Sequence, residues 1–452
     1  MIHPLSLKDL ATCVAGELKG SASREISSLA IDARQVEGGT LFAALVGERV
    51  DGHDFLDQAQ ENKASAALVE SWQASGLAQI KVNSVIAAMA ALASYNRQNF
   101  TAPLVAVTGN SGKTSVKEIL AAILNAHLGE VLATQGNLNN ELGVPLTLTR
   151  LKSVHKAAVV ELGANHLGEI NKLASIAQPD IGIITNVTGA HLGELGSRQA
   201  IAQAKAEIIT HIKPEGYLIL NADDAFYSFW LEQAKTKVIS FGFKQADVCA
   251  TQITFNKLGD SEFCVVTPWG KQKISLQLPG KHNIANALAA IAAAGQLGVP
   301  LALQAKVLQK IQPVSGRLAR VKAWADALLL DDSYNASPDA VKSAIDLLAT
   351  LPGKKLLALG SLAELGDATN AIHSELGRYA RSQGLDGLFA LEGKASLAAK
   401  SFGEGGKIAA SHQALAELIK PELNADTCLL VKGSRSSGMD KLVALLSKKD
   451  TS

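Results

Sequence analysis

Residues 104–115, Leu-Val-Ala-Val-Thr-Gly-Asn-Ser-Gly-Lys-Thr-Ser, constrain the fold of this chain more than any other stretch. An apolar β-prone run ends in a glycine-rich turn, and a helical pattern follows with Val116, Ile119, Leu120, Ile123 and Leu124 on one face. Glycines let backbone N–H groups approach an oxyanion, and the new helix adds unpaired donors and a positive dipole end. Gly109, Asn110, Ser111, Gly112, Lys113, Thr114 and Ser115 are therefore the candidate phosphate-binding loop. Lys113 offers a mobile charge for outer phosphates, and the Thr114 hydroxyl suits the magnesium that travels with a nucleoside triphosphate. The expectation is a site for ATP or GTP. Only two residues separate Gly109 from the Gly112-Lys113 pair, where the usual P-loop has four. A bare Gly-x-x-Gly-Lys-Thr also marks ordinary strand-to-helix turns; the flanking strand and helix favour the phosphate reading.

At 452 residues the chain is too long for one typical core, so two or three domains are expected. A net charge of +1, with no long basic or acidic run, argues against binding bulk nucleic acid or an anionic membrane. Cys13, Cys249, Cys264 and Cys428 are scattered, without zinc or disulfide spacing, and read as buried reduced thiols. The first ten residues lack a basic region followed by an apolar core, so no export signal is expected and the cytoplasm is the expected compartment. The most apolar stretch, 285–303, is alanine-rich and broken by Gln296 and Pro300, which argues against a membrane span.

Three segments differ in texture. Up to about residue 100, short β-prone runs (Leu41–Leu45, Ala66–Val69) alternate with helical stretches around a glycine- and charge-rich patch, Val46–Asp54. Ala102-Pro103 marks a boundary. In 101–314, strands end at polar residues: Ala157–Val160 at Glu161, Ile181–Thr185 at Asn186, Tyr217–Leu220 at Asn221. An open α/β sheet gathers its ligands at such strand ends. Phe263–Thr267 and Lys273–Leu278 read as an antiparallel addition, followed by an alanine-rich helix from about His282 to Leu297. In 315–452 strands Leu328–Leu330, Lys355–Leu359, Gly387–Leu391 and Thr427–Val431 alternate with helical stretches near 338–350, 372–382, 411–419 and 435–446. That alternation predicts a second parallel sheet with right-handed crossovers.

Together these residues resemble the Mur ligases, ATP-dependent enzymes that build the cytoplasmic peptidoglycan precursor. The resemblance covers essentially the whole chain. It runs through Thr108–Thr114, Gly136–Pro145, Glu161–His166, Asn186 with His191, Lys205–Ile208, His282–Ala287, Gly316-Arg317 and Asp331–Asn335, in family order. The short P-loop is the family's own. Glu161–His166 and Asp332–Ala336 look like the branch that adds D-alanyl-D-alanine to UDP-N-acetylmuramoyl-tripeptide, and the Asp-Asn-Pro-Arg motif of a diaminopimelate-adding branch is absent. Leu41–His53 resembles the part that holds the UDP-muramoyl substrate; at Ala33 the family more often has a hydroxyl residue.

The resemblance implies an α/β protein of three domains. A small N-terminal α/β substrate domain spans 1–100, a central P-loop ATPase-like, mostly parallel sheet spans 101–314, and a C-terminal Rossmann-like domain spans 315–452. It implies an acyl-phosphate route, with Lys113 and the loop amides on the transferring phosphoryl group. Thr114 and Glu161 would hold one magnesium, and His191 with a carbamylated Lys205 a second. By composition alone, Lys205 is a solvated helix lysine. Asn283 and Asn286 lie three apart, so both amides face the adenine, although Asn283 reads equally as a capping amide. Arg317 would reach the γ-phosphate on domain closure and Asp332 the nucleotide; an interdomain salt bridge is the bland alternative. Arg34 and Arg49 would serve the UDP-substrate, and Asn137, Asn139, Asn140, Asn165 and His166 the sugar, diphosphate or phosphoryl oxygens. Asn335, Lys432, Ser434 and Arg435 are candidates for the dipeptide end, although Lys432–Arg435 reads equally as a helix-entry turn. The expected partners are these two small molecules, acting on a monomer.

Two alternatives remain open from the sequence. Another ligase of the superfamily, such as folylpolyglutamate synthase, shares the ATP machinery but should lack the 41–53 segment. A P-loop switch NTPase should carry a full-length P-loop and a magnesium-binding Asp, where this chain has Glu161.

Overall fold

A computed structural model describes residues 1–187 and 197–448. Its centre is a nine-stranded sheet ordered Val131–Ala133, Ala157–Glu161, Leu104–Thr108, Ile181–Ile184, Tyr217–Asn221, Lys237–Gly242, Val248–Phe255, Ser261–Thr267, Gly270–Leu276. Pairing is parallel as far as Val248–Phe255; the last two pairings are antiparallel, as the alternating pattern of those segments predicts. Leu104–Thr108 is wholly buried because both sheet faces are covered. Val105 and Val107 pack with the P-loop helix Lys113–Leu128 and the alanine-rich helix Lys281–Gln296. Leu104 and Ala106 face the opposite layer, with Leu173, Ile209 and Trp230.

The chain leaves Leu104–Thr108 for strands on one side, then returns to Ile181–Ile184 on the other. Its carboxyl end is therefore the topological switch point, where neighbouring connections diverge and open a crevice. The glycine-rich loop begins there.

Two larger sheets flank this one in sequence, besides a two-stranded antiparallel pairing of Leu5–Ser6 with Glu25–Ile26. In the first, Ser28–Ala30, Thr40–Ala43, Ala66–Val69 and Gln79–Lys81 pair in parallel and Glu17–Lys19 closes an antiparallel edge. The last has the order Ala319–Lys322, Leu328–Asp332, Thr427–Lys432, Lys354–Leu359, Gly387–Leu391, Gly406–Ala409. It is parallel except for its first pair, an antiparallel edge that the sequence reading lacks. The helix expected over 435–446 starts only at Asp440, because a 3-10 turn at Arg435–Ser437 ends in Gly438 at φ 62°. All four cysteines are free, but only Cys428 is buried; the other three are half-buried, against expectation. Among the described residues no helix is long and apolar enough to cross a membrane.

Helix Val85–Gln98 fastens the first segment to the central sheet through two buried polar side chains. The Asn96 amide donates to Leu148 O (2.8 Å) and Leu151 O (3.2 Å) and accepts from Ile2 N (2.8 Å). Arg97 donates to Ala177 O (2.7 Å), Phe100 O (2.8 Å), Gln178 O (2.9 Å) and Asp180 (3.1 Å). Asp180 also accepts from Leu104 N (2.8 Å), so the strand that carries the P-loop starts from the same carboxylate. Removing Arg97 leaves helix-terminal carbonyls buried without donors. Arg97→Leu is expected to cost about 3 kcal/mol and Asn96→Ala about 2 kcal/mol, read as lower urea midpoints. Midpoints within error of the parent would contradict this account of the junction.

Candidate active site

The loop at the switch point depends on two glycines in the left-handed region. At Gly109 (φ +136°) a Cβ would run into Thr185 Oγ1, and at Gly112 (φ +83°) into Asn286 Oδ1. Asn186 braces the loop: its carbonyl accepts from Asn110 N (3.0 Å), its Oδ1 from Ser111 N (3.0 Å), and its Nδ2 donates to Ser111 O (3.2 Å). Thr185 Oγ1 donates to the same carbonyl at 2.7 Å. Two amides expected to face phosphate are therefore engaged within the protein. The first turn of the helix, from Lys113, carries the N–H groups that lack intrahelical partners. Lys113 Nζ folds back on Gly109 O (2.7 Å) and Asn110 O (3.1 Å). Burial lowers its pKa, Glu161 opposes that shift, and Arg317 reinforces it.

Glu161 closes strand Ala157–Glu161 and is 3% exposed. Its Oε2 accepts from Thr114 Oγ1 (2.8 Å), its Oε1 from Asn139 Nδ2 (2.8 Å), and its N–H donates to Thr134 Oγ1 (2.9 Å). Arg317 Nη2 reaches Thr114 Oγ1 at 2.9 Å from the segment that carries the last sheet. Two features aim this guanidinium. Gly316 at φ +75° makes the turn, with its N–H held by Asp331 Oδ2 (3.0 Å), and the Tyr334 ring stacks 4.4 Å from the Arg317 carbon. Tyr334 lies within a quoted motif but carries no role in the sequence reading; antiparallel pairing of Ala319 with Asp331 is what brings the two together.

These groups line a cleft of 1030 Å³ between the central and last sheets. Asn137, Asn139, Asn140 and Asn165 line one wall, and Asn335 and Arg435 the opposite side. Asn286 and Asn283 are both buried on the cleft, but in series: Asn286 Nδ2 donates to Asn283 Oδ1 (3.1 Å), while Asn283 Nδ2 donates to Pro279 O (2.8 Å). Asn286 thus meets the loop and Asn283 orients it, close to the capping alternative.

Several expected positions differ. Lys432 Nζ is 2.5 Å from Asp332 Oδ2 and donates to Asn335 O (3.0 Å), so the two candidates pair with each other. Burial raises the Asp332 pKa and Lys432 opposes it. Ser434 is buried and donates to Ser361 O (2.6 Å), a structural contact that keeps its hydroxyl from the cleft. His166 is exposed and off the cleft wall. Arg34 pairs with Asp32 (2.7 Å), Arg49 is exposed, and neither borders this cleft, because no residue of the first sheet does. His191 lies outside the described residues.

Lys205 is not a solvated lysine. It is 1% exposed on helix Arg198–Ala206, and Nζ points at Ala164 O (3.4 Å), a residue of the cleft wall. Burial first, then the Lys113 charge, bring its pKa from 10.5 down to about 7, against Glu207 and Glu169. Among the described residues no cluster of three or more His, Cys, Asp and Glu side chains forms a ready metal cage. The Thr114 hydroxyl and Glu161 carboxylate, adjacent hard oxygens beside the loop, fit a magnesium ion that keeps waters and shares phosphate oxygens.

A glycine loop at a sheet's switch point, facing an arginine from a second α/β sheet, defines a nucleotide-dependent enzyme of several α/β segments. Residues 25–107 match the Mur ligase family catalytic domain, 107–294 the Mur ligase middle domain and 316–435 the Mur ligase glutamate ligase domain. The chain belongs to the Mur ligase family. The UDP-N-acetylmuramoyl-tripeptide–D-alanyl-D-alanine ligase of Escherichia coli is 39% identical over 99% of both chains. MurF from Acinetobacter baumannii superposes with a TM-score of 0.92 at 37% identity, covering 98% of each chain. The MurF ligase of Thermotoga maritima in complex with ADP gives 0.83 at 28% identity, covering 92% of this chain and 96% of that one.

Gly112→Ala is expected to weaken ADP binding by roughly 10-fold or more, because the added methyl displaces Asn286 and strains the turn. Titration calorimetry on a variant with unchanged circular dichroism measures this; parent-like affinity would contradict the close approach.

Proposed function

We propose that this chain joins D-alanyl-D-alanine to UDP-N-acetylmuramoyl-tripeptide with hydrolysis of ATP to ADP and phosphate. Full-length similarity to ligases of that name supports the substrates. The observation that carries the chemistry is Arg317 on Thr114, because it sets a second cation beside the loop where Lys113 sits. A carboxylate is a poor electrophile, and bringing it to a triphosphate joins two anions. Concentrated positive charge is what that step requires.

In the first step the tripeptide carboxylate oxygen bonds to the γ-phosphorus, the bond to the β–γ bridging oxygen breaks, and ADP leaves. Lys113, released from the loop carbonyls, and Arg317 neutralise the phosphoryl oxygens. In the second step the neutral amine of the dipeptide bonds to the acyl carbon, the C–O bond breaks, and the proton the amine loses leaves with the phosphate as hydrogen phosphate. Thr114 and Glu161 would hold one magnesium, and His191 with carbamylated Lys205 a second; bound there, the ions draw charge from the phosphate oxygens. Asn286 serves the adenine and Asp332 the nucleotide. Asn137, Asn139, Asn140 and Asn165 serve the muramoyl substrate, and Asn335 and Arg435 the dipeptide. Arg34 and Arg49 serve the UDP part from the first segment. Each of these groups comes from one chain, so a monomer suffices, and ATP with a nucleotide-linked acceptor assigns the reaction to the cytoplasm. Closure of the last segment on the loop excludes water from a hydrolysable acyl phosphate.

Phosphate release by the purified protein is expected only when both small substrates accompany ATP. Release with folate and glutamate, or without either substrate, would favour the folylpolyglutamate or switch readings. Arg317→Met is expected to lower kcat by about 100-fold or more with a smaller change in ADP affinity. An unchanged kcat would remove Arg317 from the chemistry.

A lysine with a pKa near 7 is largely neutral above that value, and the neutral amine is the form that adds carbon dioxide. At fixed dissolved ¹³C-labelled carbon dioxide, a carbamate NMR signal should grow as pH rises through about 7 and vanish in Lys205→Ala. The variant should not ligate, with or without bicarbonate. A signal equal in parent and variant would overturn the assignment.

A further inference from the structure

Lys117 is the second-turn lysine of the P-loop helix, and its side chain is fully buried. The chemistry described so far does not use it. A buried ammonium is costly, and its ion pair with the half-exposed Glu118 carboxylate (2.8 Å) is a weak reason to keep it inside. Its other partner is more informative: Nζ donates to Thr134 O at 2.6 Å.

Thr134 follows edge strand Val131–Ala133 and is 2% exposed. Its N–H donates to Val159 O (3.1 Å), its carbonyl accepts from Lys117, and its hydroxyl accepts from Glu161 N (2.9 Å). The next residues form the turn that carries Asn137, Asn139 and Asn140 to the cleft. Asn139 then returns to Glu161 from the other side, through Nδ2 to Oε1 (2.8 Å). The P-loop helix therefore grips the strand end twice, by Thr114 directly on Glu161 and by Lys117 through Thr134.

We propose that Lys117 is a positioning residue of the ligase reaction, which through Thr134 fixes both the Glu161 carboxylate and the asparagine turn relative to the phosphate loop. The inference rests on the proposed activity and adds a link between the nucleotide side and the acceptor side of the cleft. Without the ammonium, the Thr134 carbonyl is left buried without its donor and the turn loses its anchor. Glu161 then keeps its place in the strand, but its carboxylate and Asn139 lose their common register with Thr114.

Three variants test this: Lys117→Met removes the charge, Thr134→Val removes only the hydroxyl, and Thr134→Ser retains it. Binding is read without turnover, as Mn²⁺ affinity in the ADP complex by electron paramagnetic resonance and as affinity for UDP-N-acetylmuramoyl-tripeptide by calorimetry. Lys117→Met and Thr134→Val are expected to weaken both by roughly 10-fold, with metal-free ADP affinity unchanged and Thr134→Ser close to parent. A purely structural role would lower the melting temperature and leave both affinities within about twofold of parent, and that result overturns the proposal. Should Lys117→Met not fold, Lys117→Gln, uncharged and too short to reach the Thr134 carbonyl, takes its place under the same readouts and the same two outcomes. Failure of the parent protein to ligate the two substrates would instead defeat the proposed activity, whatever the variants do.

Discussion

A carboxylate buried at the end of a parallel strand organises this molecule. Glu161 is kept from water by the layers that cover the sheet, so its oxygens must be satisfied by protein groups or by a cation. Thr114 and Asn139 supply the protein groups, and Arg317 stands on Thr114 with its charge close by. These residues come from the P-loop helix, the turn after the edge strand and the start of the last segment. A single buried acid thus makes three distant stretches of chain meet, and the phosphate loop opens onto the place where they do.

The supporting structure follows the same logic at lower stakes. Asp180 starts the P-loop strand through Leu104 N and receives Arg97 from the first segment. Asp331 holds the Gly316 turn that aims Arg317. Asp332 and Lys432 pair with one another on the cleft wall. Asp180 accepts from backbone and from a cation across a segment boundary, whereas Asp331 accepts from the Gly316 and Ser333 N–H groups and Asp332 from the Lys432 ammonium, both within the last segment. Such bonds are directional, and the Asp180 set fixes orientation between segments whose apolar faces alone would leave it loosely defined.

The local pattern of the sequence was enough to read the parts whose physics is local. Gly109 to Ser115, the apolar face of the following helix and the polar residue closing the strand at Glu161 follow from spacing and periodicity. Four parallel strands of the last sheet were legible because largely buried strands are short continuous apolar runs; the fifth, Gly406–Ala409, is mostly half-buried or exposed and was not. Strands Lys237–Gly242 and Val248–Phe255 were not, since mixed polar faces and partial exposure blur that signal. Pairings across long separations left no trace: Arg97 with Asp180, Lys432 with Asp332, Tyr334 under Arg317. A lysine's role is likewise undetermined by its neighbours. Lys205 and Lys117 have the composition of surface helix residues, and only the packing of neighbouring elements buries them.

That contrast bears on how a ligase of this kind avoids wasting ATP. In the described structure Lys113 is satisfied by the Gly109 and Asn110 carbonyls, and Arg317 already rests on Thr114. In the proposed reaction, transfer of the γ-phosphoryl group would have Lys113 exchange those carbonyls for phosphate and the acceptor carboxylate arrive from the asparagine wall. Both events bear on the loop and on Glu161, because Asn139 and Thr114 share that one carboxylate. The proposed reaction would thereby couple acceptor binding and nucleotide geometry through a single buried group. On that proposal water, which lacks the groups a sugar nucleotide would offer the asparagine wall, gains no such help in attacking the phosphate.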